Sequence, residues 1–190
     1  VLSYLDVLAR KKTVGKRVAI IGAGGIGFDV GEFLVEDVPS PTTDVTRWTR
    51  EWGVDQSLDH RGGLVPAQPE PPERELWLMQ RSPGRPGARL NKTSGWVHRA
   101  TLKAKRVEML GGVTYDRLDD EGFHITVDGK TRVLPVDNIV ICAGQEPNRT
   151  LADELIAAGK AVHVIGGADV AMELDAKRAI DQGTRLACSI

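Results

Sequence analysis

The chain has 190 residues, of which 41% are hydrophobic, and a formal net charge of -1. This length allows one large domain or one domain with part of another, and the near-neutral charge excludes a general electrostatic attraction to nucleic acid or anionic membranes. No apolar run approaches the ~20 residues of a membrane span, no signal peptide is recognisable, and two distant cysteines favour a reducing, cytoplasmic setting without a disulfide framework.

The N-terminal part predicts a strand that runs directly into a helix. Residues 3–9 form a short lead-in helix or loop. An apolar strand is predicted over 17–21 and a helix over 26–35. Between them lies the glycine-rich sequence Gly22-Ala23-Gly24-Gly25-Ile26-Gly27. A Gly-x-Gly-x-x-Gly in this context predicts a dinucleotide site rather than a plain turn.

Each glycine of this turn has a separate physical task. Gly22 permits the tight turn after the strand, Gly24 lets the backbone approach a pyrophosphate, and Gly27 lets the helix pack closely on the strand. The helix start, which includes Gly25 and Ile26, offers unpaired N–H groups and a positive dipole end to phosphate oxygens. We therefore expect these five residues to bind a dinucleotide.

A long irregular insertion is predicted over residues 36–74. It contains six of the ten prolines, with one short helix expected over 45–52. Such a connection is more often functional or mobile than simple filler. Trp48 and Trp52, at helical spacing, are interpreted as the core of the insertion rather than as a platform for adenine.

The second strand of the nucleotide-binding fold is predicted at 75–80, displaced by the insertion. Counting ~20 residues from the glycine turn would place an NAD-type ribose carboxylate at Asp44 or Glu51, but neither lies in strand-like sequence. The displaced strand instead ends at Arg81, and residues 81–106 contain eight Lys or Arg and no Asp or Glu. Because cations suit a 2′-phosphate, Arg81, Arg85 and Lys92 predict NADPH rather than NADH.

Four further cations, toward the end of this stretch, are expected on a solvated surface. These are Arg99, Lys103, Lys105 and Arg106. Nucleic-acid binding is the less favoured interpretation, because Trp96 is the only aromatic residue interleaved with them. The four histidines are not spaced as metal ligands, so no metal site is expected.

The rest of the chain predicts further α/β structure. A helix is expected over 94–105, a strand over 107–110, three antiparallel strands over 115–118, 123–127 and 132–136, and a parallel strand over 138–143. Asp128-Gly129 is a hairpin turn signal. The C-terminal part predicts helices over 151–158 and 170–187 around a strand at 162–165. The expected fold class is therefore α/β: a Rossmann-like NAD(P)-binding domain with a parallel sheet and an antiparallel β-meander, followed by part of a second domain.

Two isolated residues need separate interpretation. Asp169 follows the glycines Gly166-Gly167 and, from local sequence alone, either caps the last helix or binds a ligand. Cys142 has no partner cysteine or neighbouring histidine, so it is interpreted as a buried strand residue rather than a redox centre.

The segment Gly166-Gly167-Ala168-Asp169 resembles the second flavin motif of the glutathione-reductase-like flavoproteins, which have two dinucleotide-binding domains. This resemblance implies that Asp169 hydrogen-bonds a ribityl hydroxyl of FAD, with Gly167 and Met172 beside the cofactor. Residues 139–148 are similar to the segment in which that group crosses back to the flavin domain, which implies that Ala143 and Gly144 also contact FAD.

Nearly the whole chain is similar to bacterial NADPH-dependent 2,4-dienoyl-CoA reductase. The similarity is carried by residues 19–29, by Glu51-Trp52-Gly53 and Gly62-Gly63-Leu64, by Gly95-Trp96-Val97-His98-Arg99, and by residues 169–176. It implies hydride transfer from NADPH to FAD, then single electrons through a [4Fe–4S] cluster to FMN, which reduces the dienoyl thioester in fatty-acid β-oxidation. Here only the C-terminal portion is matched, and the first residue is Val, so a fragment is expected.

The resemblance implies a division of the chain into three parts. Residues 1–13 lead in from an FAD domain, residues 14–142 bind NADPH, and residues 143–190 complete the FAD domain. FMN and the cluster would lie in the remainder of the polypeptide, which is the expected partner, so this chain is not expected to be active alone or to supply an acid or base. Two alternatives stay open: a trimethylamine-dehydrogenase-like enzyme and a non-catalytic NAD(P)-sensing module.

Overall fold

The computed structural model describes residues 1–36, 39–172 and 175–190. They form two compact units, Val1–Ala143 and Gly144–Ile190. None of the described helices has the length and apolar character needed to cross a membrane.

The first unit contains a parallel sheet and a separate antiparallel sheet. Its strands are β1 (Leu2–Ser3), β2 (Arg17–Ile21), β3 (Glu75–Met79), β4 (Glu108–Leu110), β5 (Thr114–Asp119), β6 (Gly122–Val127), β7 (Lys130–Leu134) and β8 (Asn138–Ile141). Its helices are α1 (Tyr4–Leu8), α2 (Gly25–Val35), α3 (Val45–Trp52) and α4 (Gly95–Ala104). The parallel sheet has the order β1-β8-β2-β3-β4, and the antiparallel sheet has the order β5-β6-β7.

Alternating side chains of the parallel strands build two apolar layers. Val18 and Ile20 pack in a core with Phe28 of α2 and Leu102 of α4. Ala19, between them in sequence, belongs to a second core, whose other buried members include Trp77, Met79, Phe123, Ile125 and Leu134. Because successive strand residues point to opposite faces, the sheet lies between helices and the meander. This arrangement confirms the predicted α/β fold class.

The β6–β7 hairpin forms at the predicted turn. Asp128 and Gly129 have φ values of 50° and 72°, as the favoured two-residue hairpin turns require. Val127 pairs with Lys130 immediately across the turn. Strand β7 therefore begins at Lys130, two residues before the predicted start, because so short a turn leaves no unpaired residues.

The lead-in segment joins the parallel sheet. Leu2 and Ser3 pair with Val140 and Ile141 of β8, and the Ser3 side chain then accepts a hydrogen bond from the backbone N–H of Asp6 to begin α1. The assignment of residues 1–13 to a flavin domain stays a prediction.

The insertion contains the predicted helix. Asp44 caps the start of α3 by accepting a hydrogen bond from the Arg47 N–H at 3.0 Å, and Gly53 ends the helix with a φ of 70°. The rings of Trp48 and Trp52 are 6.1 Å apart between centroids. Trp48 nevertheless remains 39% exposed, so only part of this pair belongs to the interior of the insertion.

An ion cluster ties the insertion to the end of α4. Lys105 is only 7% exposed, and its Nζ lies 3.9 Å from the Glu51 carboxylate and donates to the Glu70 carbonyl at 3.1 Å. Arg47 and Arg50 each lie 2.7 Å from the Glu70 carboxylate. The prediction that Lys105 is solvated is wrong, because the insertion buries Glu51 beside it and a buried carboxylate needs a cationic partner.

The second unit has helices α5 (Thr150–Ala157) and α6 (Ala176–Ala187) and a short 3-10 turn, Gly166–Ala168. Two predictions are wrong here. Residues 162–165 are not a strand, since within this unit they have no strand to pair with. Helix α6 starts at 176 rather than at the predicted 170, because Asp175 caps it by accepting a hydrogen bond from the Arg178 N–H at 2.7 Å. Glu173 and Leu174 belong to the predicted helix but lie outside the described residues.

Candidate dinucleotide-binding site

The glycine turn lies where the direction of the sheet changes. From β2 the chain passes through α2 to β3 on one side, whereas β8 lies on the other side of β2. In open α/β sheets, ligands bind at the carboxyl ends of the strands at such a point. Gly22 follows β2 directly, and the Cys142 N–H donates to the Ile21 carbonyl at 2.8 Å.

Gly22 and Gly27 are required by packing. Gly22 has a φ of +112°, and a Cβ there would lie 2.7 Å from the backbone carbonyl carbon of Cys142. A Cβ on Gly27 would lie 1.8 Å from the Gly22 carbonyl oxygen. The helix therefore starts in direct backbone contact with the turn, as the spacing of the glycines predicts.

Gly24 and Gly25 face open space instead. No atom lies within 4 Å of a Cβ built on either residue. Helix α2 begins at Gly25, has no side-chain cap and has no acidic residue in its first turn. Its first N–H groups, including that of Ile26, lack intrahelical acceptors. The turn is thus an open cradle, with backbone N–H donors and no side chain in front of them, which is the arrangement that suits a phosphate group.

A basic loop, residues 81–92, follows the neighbouring strand β3. The displaced second strand is confirmed, since β3 pairs in parallel with β2 along its length. Arg81, Arg85 and Lys92 are exposed, and no carboxylate among the described residues lies within 4.0 Å of their side-chain nitrogens. The carboxyl ends of parallel strands meet at one edge, so the basic loop and the glycine turn share that edge of the sheet.

The basic loop also packs on α2. Gly87 has a φ of +72°, and a Cβ there would lie 2.6 Å from the ring of Phe28. Arg99 of α4 donates to the Gly87 carbonyl at 2.8 Å. Arg99 was expected to be solvated but is half-buried, because it reaches back under this loop; Lys103 and Arg106 are exposed as predicted. Pro86-Gly87 is a turn signal in the sequence that could have indicated this tight turn.

The acids considered for an NAD-type site serve other purposes. Asp44 caps α3, and Glu51 is buried in the ion cluster with Lys105. The sequence predicts that neither acid lies at the end of the second strand, and in the structure neither is at the end of β3.

The histidines of the first unit pair with carboxylates. His98 Nδ1 lies 3.0 Å from Glu32 and joins α4 to α2; burial raises the pKa of Glu32, and the hydrogen bond from His98 opposes that shift. His60 lies 2.9 Å from Asp55.

One further cluster lies on the β5–β6 hairpin. Asp119, Glu121 and His124 place one potential ligand atom each within 4.8 Å of one another. Asp119 already accepts from His124 Nε2 at 2.8 Å and lies 3.0 Å from Arg117 Nε, which holds the pKa of Asp119 below its usual value. These contacts explain why the side chains lie together at the end of the β5–β6 hairpin.

In the second unit, Asp169 is held by Gln182 of α6. The Asp169 carboxylate accepts from Gln182 Nε2 at 3.3 Å, and the side-chain oxygen Oε1 of Gln182 accepts from the Gly166 N–H at 2.8 Å. Asp169 does not cap the helix, since Asp175 does. Gly167 lies in the 3-10 turn, and Met172 is 69% exposed.

The remaining candidates for flavin contact, Ala143 and Gly144, are the consecutive residues at which the chain passes from the first unit to the second. Ala143 ends the first unit and Gly144, with a φ of +83°, begins the second.

Proteins of known structure share this fold. The chain matches 2-naphthoyl-CoA reductase in complex with 2-naphthoyl-CoA with a TM-score of 0.64 and 19% identity, over 94% of this chain and 22% of that one. It matches histamine dehydrogenase from Rhizobium sp. 4-9 with a TM-score of 0.65 and 15% identity, over 98% of this chain and 25% of that one. Both are named as oxidoreductases, and the likeness establishes the fold.

A protein that is similar in sequence is also named as a reductase. A metal reductase of Desulforamulus reducens is 22% identical over 170 residues, which are 88% of this chain and 24% of that protein. No protein-family model matches the chain. The chain spans about a quarter of the length of the proteins that it matches.

The two cysteines are expected to differ sharply in reactivity. Cys142 is 8% exposed, and burial raises the pKa of its thiol to about 12, so little thiolate is present at neutral pH. Cys188 is exposed. A chromogenic disulfide reagent at pH 8 should titrate one thiol in the native protein and two in denaturant. With Cys188→Ser the native count should fall to zero; a fast-reacting thiol in that variant would contradict the buried position of Cys142.

Proposed function

We propose that this chain is the NADPH-binding part, with a portion of an FAD-binding domain, of a larger oxidoreductase. The observation that carries the proposal is the open cradle at Gly24 and Gly25, on the same sheet edge as a basic loop without acidic residues. A pyrophosphate fits the cradle because the helix N-terminus supplies N–H donors and a positive dipole end.

The basic loop supports NADPH rather than NADH. Arg81 follows β3, the position at which an NAD site carries a carboxylate for the ribose hydroxyls. A 2′-phosphate has two negative charges, which guanidinium groups bind through charge-assisted hydrogen bonds. We assign that phosphate to Arg81, Arg85 and Lys92.

NADPH supplies a hydride and FAD accepts it when both are bound. The residues of this chain then have an orienting role. The peptide groups of Gly24, Gly25 and Ile26 hold the phosphates, and the basic loop fixes the adenosine end. No side chain of the site needs to donate or accept a proton, so we assign no catalytic acid or base.

The second unit supports the part of the proposal that concerns FAD. None of its described residues is buried, and apolar side chains such as Leu151 and Ile180 are 68% and 67% exposed. A segment that buries so little apolar surface cannot offset its loss of chain entropy. We infer that protein outside this chain covers it, and that Gly144, Gly167, Asp169 and Met172, with Ala143, contact FAD there.

The proposed substrate is a 2,4-dienoyl-CoA. In support, 2-naphthoyl-CoA reductase, whose name states a CoA thioester substrate, shares the fold over 94% of this chain. FMN and a [4Fe–4S] cluster would belong to the rest of the polypeptide. The similarity to histamine dehydrogenase supports a second candidate function, that of an amine dehydrogenase. The open cradle at Gly24 and Gly25 favours the NADPH-dependent reductase over this candidate, because it leaves room for the phosphates of a nucleotide.

Cofactor titration tests the proposal. The protein should bind NADPH at least about ten-fold more tightly than NADH, since one charge-assisted contact is worth that factor. Arg81→Glu should abolish the difference, because a carboxylate repels the 2′-phosphate. The quantity to measure is the dissociation constant of each nucleotide, from the quenching of tryptophan fluorescence.

The control is Lys103→Glu, which changes the net charge equally at an exposed position of α4. It should leave the NADPH preference within about two-fold of wild type, because exposed distant charges are screened. Equal affinities of the wild-type protein for the two nucleotides would refute NADPH selectivity, and binding of neither would refute the dinucleotide site.

A further inference from the structure

We propose that Arg99 is a positioning residue for the basic loop, and through it a determinant of NADPH selectivity. The inference rests on the function proposed above. Arg99 lies on α4 rather than on the loop, and its Nη1 donates to the Gly87 carbonyl at 2.8 Å. It thus connects a packed helix to the segment that carries Arg85 and Lys92.

Gly87 is the point at which the loop is most confined. Its positive φ and the ring of Phe28 leave no space for a Cβ, and its carbonyl accepts from the Leu90 N–H at 3.2 Å as well as from Arg99. Leu90 packs against the core shared by the helices and the sheet. Moving Gly87 would therefore displace both halves of the loop.

Other contacts hold the beginning of the loop independently of Arg99. The Ser82 carbonyl accepts from the Gly112 N–H at 2.9 Å, and Gly111 lies so close to Gly84 that a Cβ on it would be 2.0 Å from the Gly84 oxygen. Arg81 adjoins Ser82, Arg85 lies between Gly84 and Gly87, and Lys92 lies beyond Gly87. Loss of Arg99 should consequently loosen the later part of the loop and leave the strand end in place.

The environment of Arg99 favours positioning over direct contact with a phosphate. Its Nε is buried without a hydrogen-bond partner, and the side chain is half-buried beneath the loop. An arginine in this place preorganises the exposed cations, which lowers the entropy that they lose when they bind a phosphate. Its effect should be specific to the nucleotide that carries the 2′-phosphate.

The test uses Arg99→Met, which keeps the apolar stem and removes the donor, with Lys103→Met as the matched control on the same helix. Hydrogen exchange is measured first, without nucleotide. The amides of Ala88 and Leu90, which donate within the loop, should exchange at least about five-fold faster in Arg99→Met, whereas Gly112 should not change. Lys103→Met should match the wild-type protein at all three amides.

Nucleotide binding is measured second. Arg99→Met should raise the dissociation constant of NADPH about ten-fold, with NADH changed less than about two-fold. Arg99→Lys keeps the charge but shortens the reach to Gly87, so it should also speed exchange at Ala88 and Leu90, and it serves as the second variant should Arg99→Met not fold.

Two outcomes would overturn the inference. Unchanged exchange at Ala88 and Leu90 in both variants would show that Arg99 does not order the loop. Wild-type affinity for NADPH in Arg99→Lys would show that the positive charge of residue 99, and not its hydrogen bond to Gly87, supports NADPH binding. Because exchange is measured on the free protein, these results are distinct from failure of the proposed function, which would appear as absence of NADPH binding by the wild-type protein.

Discussion

Replacing Gly24 with valine is expected to weaken NADPH binding by about 100-fold or more, without loss of stability. Gly24 has a φ of -87° and a ψ of -171°, an extended conformation that a β-branched residue adopts readily. A Cβ there meets no atom within 4 Å. The valine side chain would therefore fit the free protein and occupy the space that a pyrophosphate needs.

Two measurements separate these effects. NADPH titration gives the loss of affinity, and thermal unfolding should show a midpoint within about 2 °C of wild type, as for surface substitutions. Ala104→Val, at the exposed end of α4, is the control for added bulk and should leave both quantities nearly unchanged. If Gly24→Val bound NADPH as tightly as wild type, the phosphates would not lie over this turn.

The parallel sheet could be predicted from sequence because its signals are local. Strand β2 occupies the predicted residues, 17–21, and β3 begins at the predicted Glu75 in spite of the long insertion before it. Buried strands of a parallel sheet are continuous apolar runs that end at glycine or charged residues. Such runs identify a strand without knowledge of its neighbours.

The wrong predictions concern features that depend on distant contacts. Residues 162–165 have the apolar pattern of a strand, but a strand also needs a partner to hydrogen-bond, and the pattern does not reveal one. Lys105 has the composition of a surface residue, and its burial follows from Glu51, more than fifty residues earlier in the chain. A single sequence contains no signal for that pairing.

The candidate site divides in the same way. The glycine spacing predicts which residues form the turn, since Gly22 and Gly27 are required by the close approach of neighbouring backbone, whereas Gly24 and Gly25 leave open space in front of the helix. That the basic loop packs on Phe28, and that Arg99 holds it at Gly87, depends on how α2 and α4 pack together. The position of the glycine turn could thus be predicted from the sequence, whereas the hydrogen bond from Arg99 to the Gly87 carbonyl could not.

Gly27→Ala is expected to destabilise the protein by about 3 kcal/mol or more, although alanine is the better helix former. The new Cβ would lie 1.8 Å from the Gly22 carbonyl oxygen. Gly22 cannot retreat, because its N–H donates to the Met79 carbonyl at 2.8 Å and its Cα side abuts Cys142. Relief therefore requires α2 to move away from the sheet, which opens the core around Phe28 and Leu78.

Urea unfolding followed by tryptophan fluorescence measures this loss, with Trp77, 4% exposed in β3, as a buried reporter. Gly31→Ala on the same helix is the matched control. Its Cβ would meet only the Leu102 methyl groups at 3.3 and 3.4 Å and Ile20 Cδ1 at 3.7 Å, flexible atoms whose displacement is offset by the gain in helix propensity, so stability should change by less than about 1 kcal/mol.

Gly24→Val and Gly27→Ala should affect opposite properties of the same turn. The first removes binding and keeps the fold, because Gly24 faces open space. The second chiefly weakens the fold, since Gly27 faces the protein; any loss of NADPH binding beyond the unfolded fraction would report the displacement of α2 together with its N–H donors. A wild-type unfolding curve for Gly27→Ala would mean that α2 does not approach the turn so closely, and the N–H donors of the cradle would then be misplaced as well.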